Sequence, residues 1–217
     1  MGRRFVDQRR ADPYYRAAQR EGLRSRAAFK LAYLDDRFHL FRRGARVLDL
    51  GAAPGGWSMV ALERVGPSGA VVAVDSRPIA PAEGLHVVRG RVGDPKLLER
   101  LGPEPFDVVL SDMSPSISGA YATDHARSVD LVRSAYALAL RVLAPRGAFA
   151  AKVFAGDMVD ALVTEIGPNF ADVLRTKPPA SRAPSSEMYV VALRFRPSRA
   201  RREGPTPEEA PRPDSDI

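Results

Sequence analysis

The chain contains no cysteine and only three histidines in 217 residues; aromatic side chains make up 7% of it, with Trp57 the single tryptophan. Without thiols there is no disulfide and no thiolate zinc site, and His39, His86 and His125 are too scattered to suggest a metal cluster. No structural metal is therefore expected. Long apolar runs are missing as well: none approaches the roughly 18 residues needed to span a bilayer, and the first residues lack the apolar stretch of a secretory signal. A soluble, cytoplasmic protein without membrane contact is expected. With 45% hydrophobic residues, the length suffices for one full core, and nothing demands more than a monomer.

What is in excess is positive charge, and it is unevenly placed. The net charge is +7, and residues 1–30 alone hold nine basic residues against three acidic ones. From Pro197 onward four arginines meet five carboxylates in a proline-rich stretch without apolar periodicity. The chain thus reads as a disordered basic arm over 1–13, one folded domain over 14–196 and a disordered tail over 197–217. Ser25 is placed to cap a helix that reaches about Phe38, carries arginines on its outer face and includes Lys30. A basic arm leading into a basic helix suits a polyanion, most economically RNA phosphates; a solvated basic tail is the plain alternative.

Between these ends, strand-like and helix-like patterns alternate. ARVLDL (45–50), AVVAVD (70–75), LHVVRG (85–90), FDVVLSD (106–112) and GAFAAKVF (147–154) read as buried strands separated by helices, including a long one through VDLVRSAYALALRVL (129–143). That alternation predicts an α/β fold with a mostly parallel sheet covered by helices on both faces. The last two strands, ADVLRTK and MYVVALRF, have only a short connection and predict an antiparallel hairpin at one edge.

Two features carry chemistry. The first is the turn Asp49-Leu50-Gly51-Ala52-Ala53-Pro54-Gly55-Gly56-Trp57 after the first strand, where ligands of open α/β sheets bind. Its spacing matches neither the dinucleotide fingerprint nor the P-loop, so a ligand without a pyrophosphate is expected. Asp75, at the end of the second strand, is placed to accept from both hydroxyls of a ribose, a cap on the next turn being its plain alternative, and Trp57 at the helix start either lines the pocket or fills the core. The second feature is four charges in or beside apolar runs, Lys30, Asp112, Lys152 and Glu187. Buried charges are costly unless paired, and two ammonium groups with two carboxylates neutralise one another in a shared site. A salt-bridge network holding the sheet edge to a helix is the bland account of the same set.

The segments DLGAAPGGWS (49–58), SDMSPSISG (111–119), AKVF (151–154) and SSEMYVVA (185–192), with RSRAAFKL (24–31) before them, closely resemble the FtsJ/RrmJ (RlmE) family of ribosomal RNA 2′-O-methyltransferases. The likeness spans roughly residues 14–195. It implies a Rossmann-like methyltransferase fold, S-adenosylmethionine as cofactor, no metal, and a uridine ribose of large-subunit ribosomal RNA as substrate, in the assembled subunit. It also implies a Lys-Asp-Lys-Glu catalytic set at Lys30, Asp112, Lys152 and Glu187, with Gly55, Trp57, Asp75 and Asp112 against the cofactor. At two positions the chain departs from the family. Arg91 stands where an acidic residue contacts adenine, leaving Asp94 as the substitute; Ser116 stands where an asparagine is usual. The same chemistry on transfer RNA, and a non-catalytic RNA-binding ribosome-assembly factor, are the competing functions.

Overall fold

Seven short apolar runs become strands: β1 (Arg46–Leu50), β2 (Ala70–Asp75), β3 (Leu85–Arg89), β4 (Phe106–Ser111), β5 (Leu143–Phe154), β6 (Asp172–Thr176) and β7 (Glu187–Leu193). The helices are α1 (Ala27–Phe38), α2 (Gly56–Val65), α3 (Leu97–Leu101), α4 (Tyr121–Val142) and α5 (Met158–Ile166), the last followed by a 3₁₀ turn at Gly167–Asn169. This computed structural model describes residues 27–180 and 186–197. The basic arm, the Ser25 cap and the tail beyond Pro197 lie outside the described residues.

The strands form one sheet in the order β3-β2-β1-β4-β5-β7-β6. Pairings from β3 through β5 are parallel, whereas β7 runs antiparallel to both β5 and β6. The expected edge hairpin is therefore present, with β7 inside and β6 at the rim.

Because side chains alternate along a strand, each strand feeds two different cores. Val47, Val71, Val108, Leu110, Ala148, Ala150, Tyr189 and Val191 pack with Leu31 and Leu34 of α1 and with Trp57 and Val60 of α2. The intervening residues, among them Leu48, Val72, Val109, Phe149, Ala151, Val153 and Val190, pack against α3, α4 and α5. Helices thus cover both faces. Asp49, Asp75, Asp112 and Lys152 are each in phase with the first set, so the sheet presents them on the face covered by α1 and α2.

Two elements start earlier than apolar spacing predicts. Helix α4 begins at Tyr121 rather than Val129, because its first inward positions are polar: Asp124, His125 and Ser128 are buried there. Each has a partner that apolar periodicity cannot reveal. Asp124 accepts from the Ser118 and Gly119 N–H groups, the His125 ring is bonded to the Phe154 carbonyl, and the Ser128 hydroxyl accepts from the Phe154 N–H. Strand β5 begins at Leu143, and its pairing with β4 shifts register between Phe106 and Val108.

Strand β1 carries a fully buried carboxyl. The Ser58 hydroxyl donates to Asp49 Oδ2 at 2.6 Å, pinning the start of α2 to the sheet, while Oδ1 has no hydrogen-bond partner among the described residues. Burial, helped by the carboxylates of Asp112 and Asp75 and opposed by the Ser58 hydrogen bond, pushes the Asp49 pKa up to about 7.

Two consequences are measurable. A raised carboxyl pKa means that the folded state holds the proton more tightly, so its stability falls as pH climbs from about 4 to about 7, by up to roughly 4 kcal/mol. Asn cannot ionise. Asp49→Asn should therefore melt several degrees above the wild-type protein at pH 8, with the gap closing towards pH 5; a gap of equal size at both pH values would contradict the assignment. Leu31, which has no exposed surface, seats α1 on the sheet. Leu31→Ala should cost about 2–5 kcal/mol in urea denaturation, and a loss below about 1 kcal/mol would show that α1 is not part of the cooperative core.

Candidate active site

The turn after β1 is built by hydrogen bonds to the neighbouring strands: the Gly51 and Ala52 N–H groups donate to the Val74 carbonyl, and the Asp112 N–H donates to the Leu50 carbonyl. Gly51 has φ +73°, and a Cβ there would sit 2.6 Å from Met113 Cγ and 3.1 Å from Met113 Cα. Only glycine suits both the conformation and the close approach. Gly55 has φ 103° and precedes α2, where the Met59 N–H reaches its carbonyl at 3.1 Å.

Below this turn, at the carboxyl ends of β1, β4 and β5, lies a cleft of about 250 Å³. It falls where the strand order reverses direction, the switch point at which open α/β sheets bind ligands. Lys30, Asp49, Trp57, Asp112, Lys152 and Glu187 line it together with the residues of the turn. The four charges singled out from the sequence thus converge on one space.

They do so as two ion pairs. Lys30 Nζ donates to Glu187 Oε2, joining α1 to the start of β7. Lys152 Nζ lies 3.2 Å from Asp112 Oδ1 and donates to the Asp112 main-chain oxygen at 2.9 Å. Both lysine side chains are nearly inaccessible, at 4% and 7% exposure, whereas Glu187 and Asp112 keep 20% and 21%. The cleft lining holds three carboxyl groups against two ammonium groups, so with Asp49 ionised it favours a ligand that brings positive charge.

Tyr189, which lies outside the four charges singled out from the sequence, links the two pairs. It is fully buried, and its hydroxyl donates to Asp112 Oδ1 at 3.1 Å. Its ring lies 5.9 Å from Lys30 Nζ and 5.6 Å from the Trp57 ring. In the antiparallel ladder Tyr189 is directly opposite Lys152. The usable signal was strand alternation, which puts residue 189 on the same face as Glu187.

Trp57 turns out to do both things considered for it. Only 2% exposed, it fills the core beneath α1 and also lines the cleft, and its indole N–H donates to the Ala27 carbonyl at 2.8 Å. Asp75 stands just behind the turn: its Oδ2 accepts from the N–H of Ala53, a cleft residue, and its carboxylate is bracketed by Arg77. Burial alone would raise the Asp75 carboxyl, but the hydrogen bonds from Arg77 and Ala53 outweigh it and hold the group below the usual range. Asp94 does not line the cleft. It follows β3, two strands out from β1, where it accepts from the Lys96 N–H and from Arg100. Arg91 is exposed, and its carbonyl accepts the Asp94 N–H. Among the described residues no group of His, Asp and Glu side chains is arranged to hold a metal, and no helix is long and apolar enough to cross a membrane.

Comparison with known proteins gives this geometry a lineage. The profile of the FtsJ-like methyltransferase family matches residues 23–195. The large-subunit ribosomal RNA methyltransferase E of Methanothermobacter thermautotrophicus is 46% identical over 202 residues, covering 90% of this chain and 95% of that protein. The protein of the same name from Gluconobacter oxydans is 45% identical and covers 90% of this chain and 74% of its own length. A Plasmodium falciparum crystal structure described as a ribosomal RNA methyltransferase superposes with a TM-score of 0.72 at 27% identity, covering 81% of this chain and all of that one. The unpartnered Asp49 oxygen on the cleft wall and, with Asp49 ionised, the excess of carboxylates over ammonium groups fit a sulfonium cofactor. The chain belongs to the FtsJ-like family of S-adenosylmethionine-dependent methyltransferases.

Proposed function

We propose that this enzyme methylates a uridine ribose 2′-hydroxyl of large-subunit ribosomal RNA within the assembled subunit. The relatives named for large-subunit ribosomal RNA support the substrate. The single observation that carries the chemistry is the pairing of two nearly inaccessible lysines with two partly exposed carboxylates around one cleft beside the glycine turn.

Bound S-adenosylmethionine supplies a methyl group already activated by the sulfonium charge. In this reading the turn from Gly51 to Gly55, Trp57 and Asp112 hold it, and Asp75 takes the ribose hydroxyls once Arg77 yields. Asp94 serves the adenine in place of the acidic residue that Arg91 replaces, after swinging from Arg100. The chain's own part is alignment and proton removal. Lys152 acts as the general base: its ammonium gives up one proton to solvent and the resulting amine accepts that of the attacking hydroxyl. Asp112 fixes the direction of the Lys152 side chain through its carbonyl and carboxylate, and Tyr189 braces Asp112. Lys30 and Glu187 position the ribose from the other side. The basic N-terminal segment receives the RNA backbone, and the protein acts as a cytoplasmic monomer without a metal.

Transfer of labelled methyl to large subunits, free ribosomal RNA and transfer RNA from cells lacking the gene, followed by nuclease mapping, tests this directly. Label is expected in a 2′-O-methyluridine of the subunit; label confined to transfer RNA would refute the substrate. Lys152→Ala should lower turnover by about 10²- to 10⁴-fold with cofactor affinity changed only a few-fold, and undiminished turnover would remove Lys152 from the mechanism.

A further inference from the structure

The loop between β4 and α4 exposes what loops usually hide. Its polar groups are tied down: the Ser118 hydroxyl and the Ser118 and Gly119 N–H groups donate to Asp124, and Arg127 reaches the Ser116 carbonyl. Hydrogen bonds from Ser118 and Gly119 also hold the Asp124 carboxyl below its usual range. Two apolar side chains at its far end and the start of α4 face outward instead. Ile117 is 66% exposed and Tyr121 60%.

Tyr121 is exposed yet held. Its hydroxyl donates to the Ala155 carbonyl, and its ring stacks on His125 with centroids 6.3 Å apart and planes 12° from parallel. The backing ring is itself fixed, since His125 bonds the Phe154 carbonyl through Nδ1 and accepts the Met158 N–H at Nε2. One face of Tyr121 is thus supported while the rest of the ring meets solvent. Ala155 lies three residues beyond Lys152 at the end of β5, about 10 Å along the strand, and the loop itself begins at Asp112. A flat aromatic surface held against the strand end that follows Lys152 matches one ligand chemistry in a nucleic-acid enzyme: the face of an unpaired base.

We infer that Tyr121 is a stacking platform for an unstacked nucleobase flanking the methylated nucleotide, a nucleobase subsite outside the Lys-Asp-Lys-Glu set. Ile117 extends the apolar rim, and Arg127 adds a cation on the same segment. The subsite rests on the reading of this protein as an RNA methyltransferase. It acts by holding the strand in register, so it contributes to substrate capture and leaves the cofactor untouched.

The test separates the ring from the hydroxyl. In the full-length enzyme, methyl transfer to large ribosomal subunits is measured for Tyr121→Phe, Tyr121→Trp, Tyr121→Leu and Tyr121→Ala. Phe and Trp should keep kcat/KM within about 3-fold, while Leu and Ala should lose about 5- to 150-fold, with thermal midpoint and cofactor affinity unchanged. If Phe loses as much as Ala, the ring is only a tether to Ala155 and the inference fails. If Ala retains full kcat/KM, no base stacks there and the exposed ring belongs to another kind of contact. A second readout does not depend on turnover: single-stranded RNA should quench the added indole emission of the Tyr121→Trp variant. Quenching without methyl transfer to any RNA would sustain the subsite and overturn the functional reading. Normal transfer without quenching would do the reverse.

Discussion

The cleft depends on the direction of one strand. Had β7 continued the parallel pattern of β1 to β5, its first residue would lie at the amino ends of its neighbours, far from the turn after β1. Running antiparallel, it brings Glu187 opposite Phe154 and Tyr189 opposite Lys152, at the carboxyl edge where Asp112 also ends its strand. The short link from β6 permits this, because an antiparallel neighbour needs no crossover helix. Strand alternation then does the rest: residues 187 and 189 share a face, the face toward α1, so the Lys30 ammonium meets Glu187 and also approaches the Tyr189 ring. A one-residue slip in this ladder would turn Tyr189 into the opposite core and leave Asp112 without its hydroxyl partner.

That dependence explains what could be read from the chain and what could not. Charges inside apolar runs are visible without a structure, and Lys30, Asp112, Lys152 and Glu187 do meet in the cleft. Parallel strands and the hairpin were visible for the same reason, since buried strands are continuous apolar runs and short links are diagnostic. Tyr189 was hidden because a tyrosine in a strand resembles packing until its cross-strand partner is known. The start of α4 was hidden because Asp124, His125 and Ser128 face inward and satisfy themselves through backbone groups more than 25 positions away in the case of His125 and Ser128. Asp94 enters only through the family resemblance, as the substitute for the acidic residue that Arg91 replaces, and its local bonds to Lys96 and Arg100 are not visible in spacing along the chain.

The charges at the cleft are arranged so that few of them stand alone in low dielectric. Each lysine has a carboxylate, and each of those carboxylates keeps about a fifth of its surface accessible. Removing one partner would leave the other buried and uncompensated, which costs far more than the pair contributes to stability. Asp49 is the exception, since Ser58 satisfies only one of its oxygens. Burial is the main cause of its raised pKa, and the carboxylates of Asp112 and Asp75 add to it.

The two faces of the sheet therefore have different duties. On the side of α3, α4 and α5 the inward residues are apolar apart from Asp124, His125 and Ser128 at the start of α4, with three tilted aromatic contacts running from Phe149 through Tyr136 and Phe170 to Phe195. On the other side the apolar layer thins toward the carboxyl edge and gives way to Asp49, Asp112, Lys152 and Glu187. Helix α1 spans that gradient, with Leu31 and Leu34 in the core and Ala27 and Lys30 at the cleft. Its position at the cleft is set by the indole hydrogen bond to Ala27 and by the Lys30–Glu187 pair, both made by residues that also line the cleft. Leu31 and Leu34 anchor the body of the helix in the core, so these two ties fix only its cleft end.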